Sequence, residues 1–207
     1  MDDLPDLGLF PLGLVLLPGE RLPLHVFEPR YRQLLADCVL EDRQFVVVQA
    51  IDGGIARIGC TARFAMLGRR FADGRMNVNV VGHDPVQIVE ETQGHLYFSA
   101  RVHRLADDPV TPDEGLATEV RERFGRLARQ VTGAEEPPEL PDGVPLSYAV
   151  AGAVEIGPEP KQSLLESRDE NARLAAVRDL LGTALEGVDR ARVAAERAKT
   201  NGRVTLT

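Results

Sequence analysis

Leu22-Pro23-Leu24-His25-Val26-Phe27-Glu28-Pro29-Arg30-Tyr31 is the stretch on which the reading of this chain turns, because strand gives way to helix within it. Leu22 to Val26 is a short apolar run interrupted by Pro23, which removes a ladder donor and predicts a short or edge strand. Pro29 then stands where a helix best tolerates a missing N–H, and Glu28 complements the positive end of the helix dipole. From Glu28 to Leu40, Tyr31, Leu34, Leu35, Cys38 and Val39 recur at three- and four-residue spacing, predicting a helix over about 28–40 with those side chains buried. It must stop before Gln44, because Phe45-Val46-Val47-Val48 is strand-like.

Outward from this corner, the first hundred residues read as strands. Leu7 to Phe10 and Leu14 to Leu17 are further short runs, broken by Pro11 and Pro18-Gly19. Asp52-Gly53-Gly54 predicts a turn, with Ile58 to Leu67 the returning strand. Asp73-Gly74 predicts a two-residue hairpin loop, followed by a strand from Arg75 to Glu91 that Pro85 breaks or bulges. Gln93-Gly94 turns the chain into Leu96, Phe98, Ala100 and Val102 on one face, with Tyr97, Ser99, Arg101 and His103 on the other.

A different periodicity takes over after residue 106. Residues 107–112 form a Pro- and Asp-containing linker, and a helical region follows over 113–197. Leu116, Val120, Phe124, Leu127 and Val131 mark an amphipathic helix capped by Thr111 or Asp113. Leu146 to Ile156 is nearly all apolar and predicts a buried central helix. A short helix around Gln162 to Glu166 precedes a long one from Asp169 that buries Leu174, Val177, Leu181, Leu185 and Val188. Residues 198–207 are expected to fray. A strand-rich block (1–106) followed by a helical block makes an α+β fold.

Composition narrows the function. The 207 residues carry 24 basic and 32 acidic side chains, a net charge of −8, which argues against binding nucleic acid. Cys38 and Cys60 are too few and too far apart for a disulfide framework or a zinc site, and read as buried reduced thiols. The amino terminus lacks a secretory signal and no apolar run would span a bilayer, so no membrane association and a cytoplasmic location are expected.

Leu9-Phe10-Pro11-Leu12, Leu16-Leu17-Pro18-Gly19-Glu20 and Leu24-His25-Val26-Phe27-Glu28-Pro29-Arg30-Tyr31 together resemble the opening of Lon protease N-terminal domains, loosely "PLFPL…LPG…LPLHIFEPRY". Lys161-Gln162-Ser163-Leu164-Leu165-Glu166 followed by Arg173-Leu174 is similar to the "KQ-LLE…RL" stretch of the same family. The motif residues are Pro11, Pro18, Gly19, Phe27, Glu28, Arg30, Tyr31, Gln162, Leu165 and Glu166. The resemblance implies a PUA-like β-barrel followed by a small helical bundle, a stand-alone bacterial substrate-binding domain, and a role in recognising unfolded or tagged polypeptides. The sequence itself lacks Lon's other machinery. Neither Lys161 nor Lys199 lies in a phosphate-binding glycine loop, and no serine sits in a nucleophile-like turn.

No catalytic, metal-binding or cofactor-binding constellation emerges, so the chain is expected not to be an enzyme. His25 and Glu28 lack a third metal ligand, and Glu28 is better read as a helix cap paired with Arg30. The resemblance further implies a groove between the strand half and the helical half that holds unfolded or hydrophobic polypeptide segments, with Phe27, Tyr31, Phe71 and Met76 expected near it. A protease, or a second copy of the chain, is the other expected partner, in an adaptor or self-association role. Arg63, Arg69, Arg70 and Arg75, interleaved with Phe64 and Phe71, leave a PUA-like RNA-binding reading open.

Overall fold

The computed structural model describes residues 3–201. Strand β1 (Asp3–Leu12) leads through an irregular segment to β2 (Arg21–Val26) and helix α1 (Pro29–Leu40). Strands β3 (Phe45–Ile51), β4 (Gly54–Ile55), β5 (Ile58–Arg70), β6 (Met76–Thr92) and β7 (Ser99–Arg104) complete the strand-rich half. Helices α2 (Glu114–Thr132), α3 (Leu146–Gly152), α4 (Pro158–Glu166) and α5 (Glu170–Asn201) follow.

The sheet runs β1-β7-β6-β5-β3, and a parallel β1–β3 pairing (Leu9 beside Val46) closes it into a barrel. Closure gives β1 and β3 partners on both sides, where a flat sheet of this size would expose its outer strands, and leaves β2, paired with β6 alone, as an edge. The 17-residue β6 is long enough to pair with three strands, β5, β7 and, along its first half, β2. The register slips between Cys60 and Ala62, opposite Pro85 and Gly82, so the proline marks a bulge within a continuous strand.

Several local expectations fail for physical reasons. β1 continues through Pro11 to Leu12, whereas Leu14 to Leu17 is not a strand. Its apolar side chains instead plug the core, with Leu16 and Leu17 essentially inaccessible. The 73–74 hairpin has a three-residue loop, Phe71 N–H bonding Arg75 O at 2.8 Å, and among its non-terminal residues only Gly74 takes a positive φ (85°). β7 begins only at Ser99, so the alternation predicted from Leu96 loses its phase: Leu96 and Phe98 are exposed while Tyr97 is buried, its hydroxyl donating to Asp37 at 2.9 Å. On α1, Val39 points to solvent beyond the buried Tyr31, Leu34, Leu35 and Cys38.

In the helical half, Asp113 caps α2 by accepting from Leu116 N–H at 2.9 Å, and Gly133 ends it in the left-handed conformation. Val131, expected inside, is exposed. α3 stops at Gly152, four residues short of the predicted Ile156, where a Cβ would come within 3.1 Å of Glu20. α5 runs to Asn201, and residues 202–207 of the expected frayed tail lie outside the described residues. Among the described residues no helix is long and apolar enough to cross a membrane.

Both cysteines are free and buried. Burial pushes the Cys38 thiol from 9.0 to about 12, and Cys60, wholly enclosed, is raised further. Thiolate is the reacting species, so neither thiol should react with an aromatic disulfide at pH 8 until denaturant is added, when both should titrate. Prompt labelling of the folded protein would contradict this burial. A raised thiol pKa favours the folded state only while the thiol stays protonated. This contribution is complete below the ordinary thiol value and drains away as pH climbs towards 12.

Candidate functional site

An open groove of about 610 Å³ lies at the strand-to-helix corner. Its wall is built from the end of β1 (Leu9 to Leu12), the β2–α1 junction (His25 to Glu28, Arg30, Tyr31), the β4 turn (Gly54, Ile55), Glu91 and Phe98. The floor is rigid because Tyr31 stacks on Phe10 with ring centroids 4.2 Å apart, and Phe10 in turn packs against Phe45. The lip is aromatic and wet: Phe27 is 59% and Phe98 53% exposed. Arg30 lies over the Tyr31 ring at 4.6 Å and reaches Phe98 at 5.8 Å, its charge balanced by Glu28 at 2.8 Å. The Glu28 residue does stand at the N-cap of α1, but its side chain makes no capping bond, because it is turned to Arg30.

The four residues expected at a groove divide. Phe27 and Tyr31 line this one, Phe27 at the lip and Tyr31 in the floor. Phe71 stands one ring beyond, edge-on to His25 at 6.0 Å, and His25 stacks on Phe27 at 6.1 Å. Met76 opens instead into a second hollow of about 600 Å³, between α1 and the β5–β6 hairpin, with Leu35, Val39, Leu40 and Phe64. Phe98, missed from the sequence, contributes the second exposed ring of the groove.

This groove lies within the strand half, not at the boundary between the two halves where one was expected. The boundary between halves is occupied by polar bonds that join the two sequence motifs. Leu17-Pro18-Gly19-Glu20 forms a tight turn (Glu20 N–H to Leu17 O, 3.1 Å; Gly19 φ 77°), and the Glu20 carboxylate accepts from Leu17 N–H at 3.0 Å. Its other oxygen pairs with Lys161 of α4, both side chains nearly buried. Gln162 adds a donation to Ile58 O at 3.2 Å and one to Glu166 at 2.8 Å. Leu165 is buried beneath them.

A second polar knot holds the linker to the bundle. Arg173 has no exposed side-chain surface. It donates to Asp107 at both carboxylate oxygens, to Glu170 at 2.7 Å and to Ser167 O at 2.9 Å, and lies over the Tyr148 ring at 4.3 Å. Burial alone would lower the Arg173 pKa, but the bonds from Asp107, together with Tyr148 and Glu170, hold it above its ordinary value. Such a group is a fixed cation, suited to holding chain segments together.

The arginine cluster expected from sequence comes apart. Arg63 pairs with Asp42 at 3.2 Å, and Phe64 packs inward on Phe45 at 5.4 Å. Arg69, Arg70 and Arg75 remain together at the hairpin tip. Among the described residues no group of three or more His, Cys, Asp or Glu side chains is arranged to hold a metal ion.

Comparison with known proteins agrees with this architecture. The chain is 28% identical over 221 residues to Lon protease 2 of Syntrophobacter fumaroxidans, covering 96% of this chain and 27% of that protein. It is 30% identical to Lon protease 2 of Myxococcus xanthus, covering 87% and 24%. The chain thus spans about a quarter of the length of these curated relatives. Among solved structures, a Lon N-terminal domain protein from Xanthomonas campestris superposes with a TM-score of 0.63 at 26% identity, covering 83% of this chain and 96% of that one. The N-terminal domain of the Mycobacterium avium complex Lon protease shares the fold, with a TM-score of 0.68 at 19% identity over 86% of this chain and 98% of that one. The profile of the ATP-dependent protease La (LON) substrate-binding domain matches residues 6–183, and it is to this family that the chain belongs.

Proposed function

We propose that this chain is a non-catalytic module that grips apolar stretches of unfolded polypeptides in the groove at the β2–α1 corner. The observation that carries the reading is the pair of exposed rings, Phe27 and Phe98, flanking a preformed aromatic floor. Exposed aromatics over a rigid concave surface are the ordinary anchors of a binding site, because they bury much area at little entropic cost. Residues 1–106 carry the binding, and residues 113–197 brace them through Lys161 and Gln162. Family membership supports the reading, since the matched domain type is named for substrate binding. The matched region includes neither ATPase nor peptidase parts.

The test is anisotropy of a labelled, permanently unfolded and uncharged polypeptide titrated with the protein in the absence of nucleotide. Saturable binding that persists at high salt is expected, weakened about tenfold or more by Phe27→Asp or Phe98→Asp, as befits loss of a central aromatic anchor. A flat titration at tens of micromolar protein would remove this function.

A further inference from the structure

We infer that the groove selects segments in which an apolar anchor is accompanied by acidic residues within about four positions; this rests on the polypeptide-binding reading above. The carrier of the inference is a cationic ledge continuous with the groove lip. From Phe27, ring contacts of 6.1 Å to His25 and then 6.0 Å to Phe71 lead to the tip of the β5–β6 hairpin. There Arg69 and Arg75 both lie over the Phe71 ring, their guanidinium carbons 5.0 and 5.4 Å from its centre. Arg70 and Arg32 line the hollow on the other side of the same tip.

Among the described residues the one ion pair these four arginines make is that of Arg75 with Asp73, at 2.7 Å. Among the described residues no carboxylate pairs with Arg69 or Arg70, and both are exposed. Holding the Arg69 guanidinium over a ring reduces the freedom that must be lost when a carboxylate docks, and no carboxylate among the described residues occupies its donors. The two ring steps set an upper limit on the distance from Phe27 to Phe71, one that about four residues of extended chain at roughly 3.3 Å each can span.

Charge complementarity favours an acidic peptide over RNA. The ledge is a small positive island on a chain of net charge −8. A polynucleotide carries a charge at every step and would extend beyond so small a ledge, whereas a peptide can confine its charges to it.

Two unfolded peptides of equal length decide the matter, both with a central Phe-Leu anchor in a Gly/Ser chain. One carries Asp triplets four residues to either side, and the other carries Ser there. At low salt the acidic peptide should bind about tenfold more tightly, the sum expected of a few exposed ion pairs. That gap should close at high salt and in Arg69→Glu/Arg70→Glu, whose folding is checked by its melting curve, with the neutral peptide unaffected. Arg69→Gln/Arg70→Gln should give an intermediate gap. Equal affinities that are both weakened by Phe27→Asp would overturn the acidic preference and leave the groove intact. Acidic-peptide binding indifferent to Phe27→Asp, or no binding of either peptide, would overturn the groove reading itself. A labelled oligouridine of equal charge that bound as tightly and displaced the acidic peptide would assign the ledge to nucleic acid.

Discussion

Arg173→Ala is expected to lower stability by about 3–5 kcal/mol, the range for removing one partner of a buried ion pair. The loss comes less from the missing attraction than from what remains. Glu170 and Ser147 would be left buried without their cation, and Asp107 would lose both donors that tie the linker to α5. Arg173→Lys should recover only part, since an ammonium cannot serve Asp107 with two parallel donors while also lying flat on Tyr148. Urea melts followed by far-ultraviolet circular dichroism measure the difference. A midpoint within error of wild type would mean that the knot contributes nothing net.

Gly82→Ala should be nearly as damaging, at roughly 2–4 kcal/mol, for a different reason. An added Cβ would lie 2.2 Å from Leu17 O and 3.1 Å from the Cys60 sulfur. The first of these is backbone, so no side-chain rotation relieves it. Gly82 also exchanges hydrogen bonds with the tight turn, accepting from Gly19 N–H at 2.9 Å and donating to Glu20 O at 3.0 Å. Forcing the two strands of backbone apart therefore shifts Glu20 away from Lys161, and the strand and helical halves should loosen together. Hydrogen exchange at the 17–20 turn and in α4 should rise in step in this variant. Loss of stability with protection of α4 unchanged would separate the turn from the ion pair.

The parts of this structure legible in the sequence are those governed by short-range rules. Pro29 at the first turn, the spacing of Tyr31, Leu34, Leu35 and Cys38, the cap at Asp113 and the bulge at Pro85 all follow from contacts within a few residues or from one backbone preference. The strand expected around 96–102 begins only at Ser99, after bends over residues 94–97, and Ser99 and Ala100 are buried in succession; periodicity carries no marker for such a slip. Leu14 to Leu17 is as apolar as a strand because it is buried, and burial alone does not specify strand. Arg173 did leave a trace: it precedes Val177 by four residues on the buried face of α5, a position where an unpaired cation would be intolerable. Its partner Asp107 lies 66 residues away, beyond any local rule. At the site, Phe27 and Tyr31 could be placed from the corner motif, whereas Phe98 and the splitting of Met76 into another hollow depend on how the barrel closes.

That closure has a consequence for synthesis on the ribosome. β1 sits between β3 and β7, with Leu7 opposite Ala100, so the strand made first needs a partner made about ninety residues later. At roughly 5–20 residues per second, Leu7 and Leu9 wait on the order of 5–20 seconds before the cylinder can shut over them. During that interval the nascent chain offers an apolar strand of the kind its finished form is proposed to bind.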